Sequence, residues 1–287
     1  MIDCHVHISL NGIDFKKSRE DLMKDTNEYI RKVLLEYKKR NITVLRDGGD
    51  NLGISYIARD IAKEEGIILK TPLYAIYKKG YYGNFLGKGI SGIADFKELF
   101  KELKDKKIDH LKILISGIVS FDEYKKVGNI GFKYSELDYM VKLAKDNDLH
   151  IMAHVNSVEG IDMAINCGVN TIEHGYFITK EQLQIIKEKN IIWIPTLSPL
   201  GNILDIKDKK FNKNIYIIEH IYNEHLNMIK EAYDLNVKMA IGSDSGCYGV
   251  FHGQGLLDEI NHFCKSGIKR DDVIKMNIDN GKIICGL

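Results

Sequence analysis

Short β-branched and apolar runs alternate along the chain with longer stretches in which apolar residues return every third or fourth position. The first pattern predicts buried strands and the second predicts one-faced helices. Strands are expected at Ile2–His7, Ile42–Arg46, Ile67–Tyr77, His110–Ser116, His150–His154, Thr171–His174, Ile191–Thr196 and Lys238–Ser243. Helices are expected between them. In SELDYMVKLAKDN the apolar stripe is Leu137, Met140, Val141 and Ala144. Ile218, Ile221, Tyr222, Leu226 and Ile229 mark a long helix before the last strand, and Leu256, Ile260, Phe263 and Cys264 mark one after it. Ser135 with Asp138, and Thr179 with Gln182, have the spacing of capping boxes, in which two side chains satisfy the free N–H groups of a helix start.

Eight strand–helix units with no Pro-rich, Ser-rich or low-complexity linker predict a single α/β domain over residues 1–287. Parallel strands need crossover helices, and eight such units close into a (β/α)8 TIM barrel. The competing architecture is a doubly wound open sheet. It would carry a GxGxxG turn after the first strand, and none follows it here.

Composition refines this picture only slightly. Apolar residues make up 44% of the 287, charged residues 28%, and the net charge is +1 with no block of one sign, which argues against nucleic acid or an anionic membrane as partner. Cys4, Cys167, Cys247, Cys264 and Cys285 form no CxxC pair, so free thiols in a reducing cytoplasm are expected. No basic leader precedes an apolar stretch, and no uninterrupted apolar run has bilayer length; a soluble, unexported protein is expected.

The candidate chemistry begins in the opening MIDCHVHIS. Alternation along a strand places Asp3, His5 and His7 on one face and Ile2, Cys4, Val6 and Ile8 on the other. With the apolar set on the outer helices, the polar set points into the barrel interior at the carboxyl end of the strand, where barrel enzymes hold their sites. Two imidazoles on one strand suit a divalent metal. Ligand-type residues also interrupt later apolar strands: Lys112 in HLKILIS, His154 in HIMAHVNS, His174 in NTIEHGYF and Asp244 in MAIGSDSG. Singly each reads as structural; together they read as a site. Lys112 either snorkels out of its strand or is neutralised inside it, and an uncharged amine can add carbon dioxide to give a carbamate able to bridge two metal ions.

This ordered set, HxH on the first strand, Lys on the fourth, His on the fifth and sixth and Asp on the eighth, resembles the signature of the metal-dependent amidohydrolase superfamily. The segments IDCHVH, TVLRDGGD, LKILISG, IEHG, IGSDSG and DDVIKMNIDNGKIICGL are similar to its imidazolonepropionase-like and prolidase-like branch. The resemblance implies that His5, His7 and Asp244 hold the more buried of two divalent ions and that His154 and His174 hold the more exposed one. It further implies that carboxylated Lys112 bridges them and that a hydroxide completes the pair. Zinc is the usual metal of such proteins, although these ligands also accept manganese, cobalt or iron.

By the same resemblance Asp244 is the catalytic base and then the acid in hydrolysis of an amide C–N bond, in an N-acyl amino acid, a dipeptide or a small cyclic amide. Asp3, on the same face, is expected either to orient an imidazole or to make a buried structural hydrogen bond. Two other readings are a one-ion aminohydrolase acting on a heterocycle, which needs no Lys112, and a non-catalytic metal-binding barrel subunit. Most members add a small β-sandwich built from both chain ends. This chain is expected to lack it, so the surface otherwise covered is expected to be polar or paired, and a homodimer or larger assembly is expected. The glycine-bearing loops KKGYYGNFLGKGISG, SGIVSFDEYKKVGNIGFKY and SPLGNILDIKDKKFNKN are expected to meet a small-molecule substrate. Tyr82, Tyr176 and His252 are the candidate substrate-binding residues, and the loop lysines favour a substrate carboxylate.

Overall fold

The computed structural model describes residues 1–287. β1 (Ile2–Val6) is followed by α1 (Phe15–Lys24) and α2 (Thr26–Lys38), then by β2 (Val44–Asp47) and α3 (Ile54–Glu64). β3 (Ile68–Lys70), β4 (Ala75–Lys78) and β5 (Gly87–Ile90) precede α4 (Ile93–Asp105). Strand–helix units then repeat: β6 (His110–Leu114) with α5 (Tyr134–Lys145), β7 (His150–Val155) with α6 (Val158–Cys167), β8 (Thr171–His174) with α7 (Lys180–Glu188), and β9 (Ile192–Ile194) with α8 (Ser198–Ile206). A 3-10 turn (Lys209–Phe211) leads to α9 (Ile215–Asp234), and α10 (Gln254–Lys265) and α11 (Arg270–Cys285) come last.

Every strand pair is parallel, as crossover helices require. One sheet runs β1-β2-β3 and the other β5-β4-β6-β7-β8-β9. The expected strand Lys238–Ser243 takes the form of isolated bridges, because the run turns away at Asp244, whose φ is 59°. It nevertheless bonds on both sides. Trp193 N donates to Lys238 O and Ala240 N to Trp193 O, each at 3.0 Å; Cys4 N donates to Ile241 O at 3.0 Å and Asp244 N to His5 O at 2.8 Å.

Two further departures have local causes. The expected strand Ile67–Tyr77 is split, since Pro72 has no N–H to donate and Leu73 follows it at φ 63°. Its halves face different neighbours: β3 pairs with β2, and β4 pairs with β6. Helix α5 starts at Tyr134, so Ser135 lies inside the first turn and the reach-back comes from Glu136, which accepts from Lys133 N at 3.0 Å. The Thr179 and Gln182 box forms as its spacing predicts, at 3.1 and 3.2 Å.

The helical stripes and the strands share one core, in which Leu34, Ala58, Phe96, Met140, Ile161 and Phe263 meet Val6, Leu45, Ile113, Ala153 and Ile172. A smaller apolar cluster joins Ile2, Cys4, Val44, Ile192, Ile194 and Ala240 to Ile284 and Cys285 of α11. Asn277 fixes that helix to β1, accepting from Ile2 N at 3.1 Å and donating to Ile2 O at 2.5 Å. No helix is long and apolar enough to cross a membrane.

Candidate active site

The register of β1 against β2 slips between Asp3 and Val6, a bulge that breaks strict alternation. Ile2 and Cys4 therefore join the small cluster, whereas Val6 and Ile8 join the main core. Of the two roles expected for Asp3, the structure shows the buried structural bond and no contact that orients an imidazole. Its carboxylate accepts from Ser243 N at 2.9 Å and Ser243 Oγ at 2.6 Å. Burial pushes its pKa up to about 7 against the pull of those bonds.

The orienting acid is Glu173, which the sequence reading passed over. Its Oε2 lies 2.7 Å from His5 Nδ1. A carboxylate only accepts, so Nδ1 carries the hydrogen and the Nε2 lone pair is left for another partner. Glu173 Oε1 is held in turn by Arg46 Nη1 at 3.1 Å and by Thr171 Oγ1, and Arg46 Nη2 reaches Thr171 Oγ1 at 3.0 Å. Arg46 and Glu173 are both fully buried. An unpaired buried charge is strongly destabilising, so each requires the other.

The donor atoms of His5, His7 and Asp244 lie within 4.8 Å of one another. His7 Nε2 is 3.3 Å and His5 Nε2 3.7 Å from the same oxygen, Asp244 Oδ1. Gly48 makes room for the His7 ring: a Cβ there would lie 2.4 Å from Cε1. His174 adjoins this group, its ring centroid 4.9 Å from that of His5 and 4.6 Å from that of His154. Thr196 Oγ1 donates to Pro195 O at 2.7 Å, so it accepts from His174 Nδ1 at 2.6 Å and again leaves Nε2 free. His174, Thr196 and Asp244 have φ of 64°, 53° and 59°, a left-handed conformation that is strained for a β-branched residue such as Thr196. This turn of the backbone lets consecutive Glu173 and His174 both serve the site.

Burial holds the pKa of His5 and His174 well below the usual imidazole range and lowers His154 to about 3; the nearby Lys112 ammonium adds to the effect at each. The rings are therefore neutral and offer lone pairs. Lys112 does not snorkel, being only 1% exposed, and its Nζ has no hydrogen-bond partner. Burial lowers its pKa to about 8, with Glu173 opposing the shift. His5 Nε2 is likewise without a partner. Neutral imidazoles, a carboxylate and an unpartnered amine form a donor set that fits divalent metal ions.

A cavity of about 1300 Å³ opens over this group, and His7, Lys112, His154, His174 and Asp244 form its floor. Tyr82 and Tyr176 also line it. Tyr82 stacks on His154 with centroids 5.5 Å apart, and Tyr176 Oη donates to Thr196 O at 3.0 Å. His252, expected at the substrate, is not on this wall. Its Nε2 meets Leu10 O at 2.6 Å and its Nδ1 meets Tyr37 Oη at 2.9 Å. The carbonyl can only accept, so Nε2–H donates to it and Tyr37 O–H donates to Nδ1, leaving the ring nothing to offer a ligand.

A sequence model of the Amidohydrolase family matches residues 1–287. The chain belongs to that family. Its members generally bind metal ions, and the grouping of His5, His7 and Asp244 is where this chain offers a site. Ochratoxinase of Aspergillus niger is 26% identical over 137 residues, which are 47% of this chain and 28% of that protein. An uncharacterized protein of Mycobacterium tuberculosis is 23% identical over 154 residues, 52% of this chain and 41% of that protein. The matched stretch thus spans less than half the length of either relative. Among solved structures, a Xaa-Pro dipeptidase with bound methionine superposes with a TM-score of 0.78 at 20% identity, covering 99% of this chain and 74% of that one. Ochratoxinase of A. niger superposes at 0.80 with 18% identity, covering 99% and 71%. These chains share the fold.

Proposed function

We propose that the strands close into a (β/α)8 barrel and that the protein is a hydrolase of amide C–N bonds in N-acyl amino acids, dipeptides or small cyclic amides, working with two divalent ions. Barrel closure is supported by residues 238–245, which bond to both β9 and β1, and by the hand-over from β3 to β4. The observation that carries the activity is Lys112 Nζ, buried and unpartnered at the cavity floor among neutral imidazoles. His5, His7 and Asp244 would hold one ion, His154 and His174 the other, and a carbamate on Lys112 would lie between them. A pKa near 8 makes the free amine accessible at neutral pH. Nζ then bonds to the carbon of carbon dioxide and releases a proton to water.

Ions so held, zinc being well matched to imidazole and carboxylate, would polarise a carbonyl and lower the pKa of water. Asp244, facing the cavity, accepts the proton of the attacking water as the new C–O bond forms. It returns that proton to the nitrogen as the C–N bond breaks, giving an amine and a carboxylic acid that loses its own proton to the medium. Glu173 keeps the hydrogen of His5 on Nδ1 throughout. Similarity to a Xaa-Pro dipeptidase supports an amide substrate.

Metal analysis of the purified chain, followed by turnover of dipeptides, N-acyl amino acids and lactams by the metal-loaded protein and by Lys112→Ala, tests this. Two ions per chain are expected. Lys112→Ala should retain at most one and lose about 100-fold or more in kcat/KM. The compact grouping of His5, His7 and Asp244 could by itself serve a one-ion aminohydrolase. One ion per chain with Lys112→Ala still active would establish that reading instead, and full metal content with no turnover would indicate a binding subunit.

A further inference from the structure

Residues 117–128, which follow β6, fold back on themselves as a hairpin. Gly117 N donates to Gly128 O and Gly128 N to Ile118 O, each at 3.0 Å, and Ser120 N donates to Lys126 O at 2.8 Å. Ile118, Val119, Phe121, Lys126 and Val127 line the cavity, so the hairpin is one of its walls. Its far end is tied to the start of α9, where Asn214 Nδ2 donates to Phe121 O and Asp122 Oδ1, each at 2.8 Å. At its base the two arms touch: a Cβ on Gly117 would lie 2.7 Å from Gly128 Cα, and one on Gly128 would lie 2.8 Å from Gly117 Cα. Only a pair of glycines allows this approach, which fixes the Gly117 peptide.

The Gly117 carbonyl reaches the cavity floor. β6 ends beside the end of β7, Ile115 N donating to His154 O at 2.9 Å, and two residues later Gly117 O lies 3.3 Å from His154 Nε2. The same oxygen is 3.3 Å from Asn156 Nδ2 and 3.1 Å from Ser116 Oγ. A carbonyl oxygen only accepts and has two lone pairs, so three donors compete for it. Each contact is accordingly longer than the about 2.9 Å of an unshared bond. Asn156 Nδ2 also comes within 3.4 Å of His154 Nε2, two donors sharing one target. The opposite imidazole tautomer would set a lone pair against Gly117 O. Turning the Asn156 amide over would do the same with its Oδ1, which is buried without a partner.

We propose that Gly117 O keeps the hydrogen of His154 on Nε2 and leaves the Nδ1 lone pair for the second ion, which makes the hairpin a positioning element for that ligand. The part about the ion rests on the two-ion reading of the site; the tautomer does not. His5 and His174 are held through Nδ1 and offer Nε2. His154 is held the other way round, and by the cavity wall instead of by a side chain. Lifting Gly117 O away frees the ring to exchange tautomers and turn, so the ion beside it loosens. The segment that shapes the cavity thus also sets a ligand on its floor.

The test reads the imidazole directly, by nuclear magnetic resonance of the full chelated chain with its histidines labelled by nitrogen-15. The His154 signals are those that vanish in His154→Gln, and their shifts report which ring nitrogen carries the hydrogen. Hydrogen on Nε2 is expected in the native chain, and a mixture of tautomers in Gly128→Ala, whose methyl parts the hairpin at its base. Asn156→Leu, of similar shape, removes a rival donor and should move the Nε2 proton downfield, a reading that stands even if Gly128→Ala does not fold. Lys126→Ala, on the same hairpin, should change neither. In zinc calorimetry Gly128→Ala should bind the second ion about 10-fold or more weakly with the first unchanged, and Asn156→Leu should lose nothing. Hydrogen on Nδ1 in the native chain, an unchanged tautomer in folded Gly128→Ala, or an unmoved proton in Asn156→Leu would overturn the assignment of Gly117 O. The expected tautomers with one ion bound by the native chain would keep Gly117 O as the positioning group and sink the two-ion reading. Two ions held equally by the native chain and Gly128→Ala would keep that reading and sink control by the hairpin.

Discussion

His225, His252 and His262 lie outside the cluster of His5, His7, His154, His174 and Asp244, and burial lowers the pKa of each to about 4. In the unfolded chain they titrate near 6.5. Protons therefore bind the unfolded state first as pH falls, so stability is intact above about 6.5 and is lost as pH drops through the folded values near 4. His225, fully buried with Nε2 against Pro195 O at 3.0 Å, contributes at most about 3 kcal/mol to that loss. Urea melts of the chelated protein at pH 7 and pH 5 should show the decline, and His225→Gln should flatten it. Equal acid sensitivity of the variant would rule out this cause.

Single residues were legible where they broke an apolar run. Lys112, His154, His174 and Asp244 each interrupt a strand, and each lines one cavity. Glu173 was missed because alternation forbids two neighbours from sharing a face. Only the left-handed φ of His174, which composition does not signal, lifts that ban. For Asp3, parity left two roles open, and its bonds to Ser243 decide for the structural one. His252 was misjudged because nothing in its local sequence announces partners as remote as Tyr37 and Leu10.

At the scale of elements, helices were read well because their stripes repeat over several turns, whereas short strands depend on neighbours. β5 escaped notice through its glycines. Gly87 pairs so closely with β4 that a Cβ would lie 1.8 Å from Ala75 O, so the residue that looks like a loop is the one that permits the pairing. The docking of α11 is equally invisible in its stripe, since Asn277 carries it by satisfying both backbone groups of Ile2. Asn277→Ala strands a buried donor and acceptor and should lower unfolding free energy by about 2 kcal/mol or more. Asn277→Asp, which keeps an acceptor for Ile2 N but sets a second acceptor oxygen against Ile2 O, should lose at least as much. A melt of the alanine variant superimposable on that of the native protein would mean that apolar contact with Ile284 and Cys285 suffices.

For the whole molecule, ions that bind only the folded chain stabilise it by mass action, about 4 kcal/mol when free metal is 1,000 times Kd. Stripping metal with a chelator should lower Tm by roughly 5–15 °C for a chain of this size, and adding zinc should restore it. Calorimetry with and without chelator checks this; an unchanged Tm would show that the cavity floor holds no ion tightly. His5 and Arg46 stand on strands of one sheet and Glu173 on a strand of the other, so the imidazole takes its aim from how the two sheets lie together. Damage anywhere along that seam would blur the aim of His5 before it unfolded the chain. Under the two-ion proposal, a weakened grip on metal would then be the earliest symptom of a distant lesion.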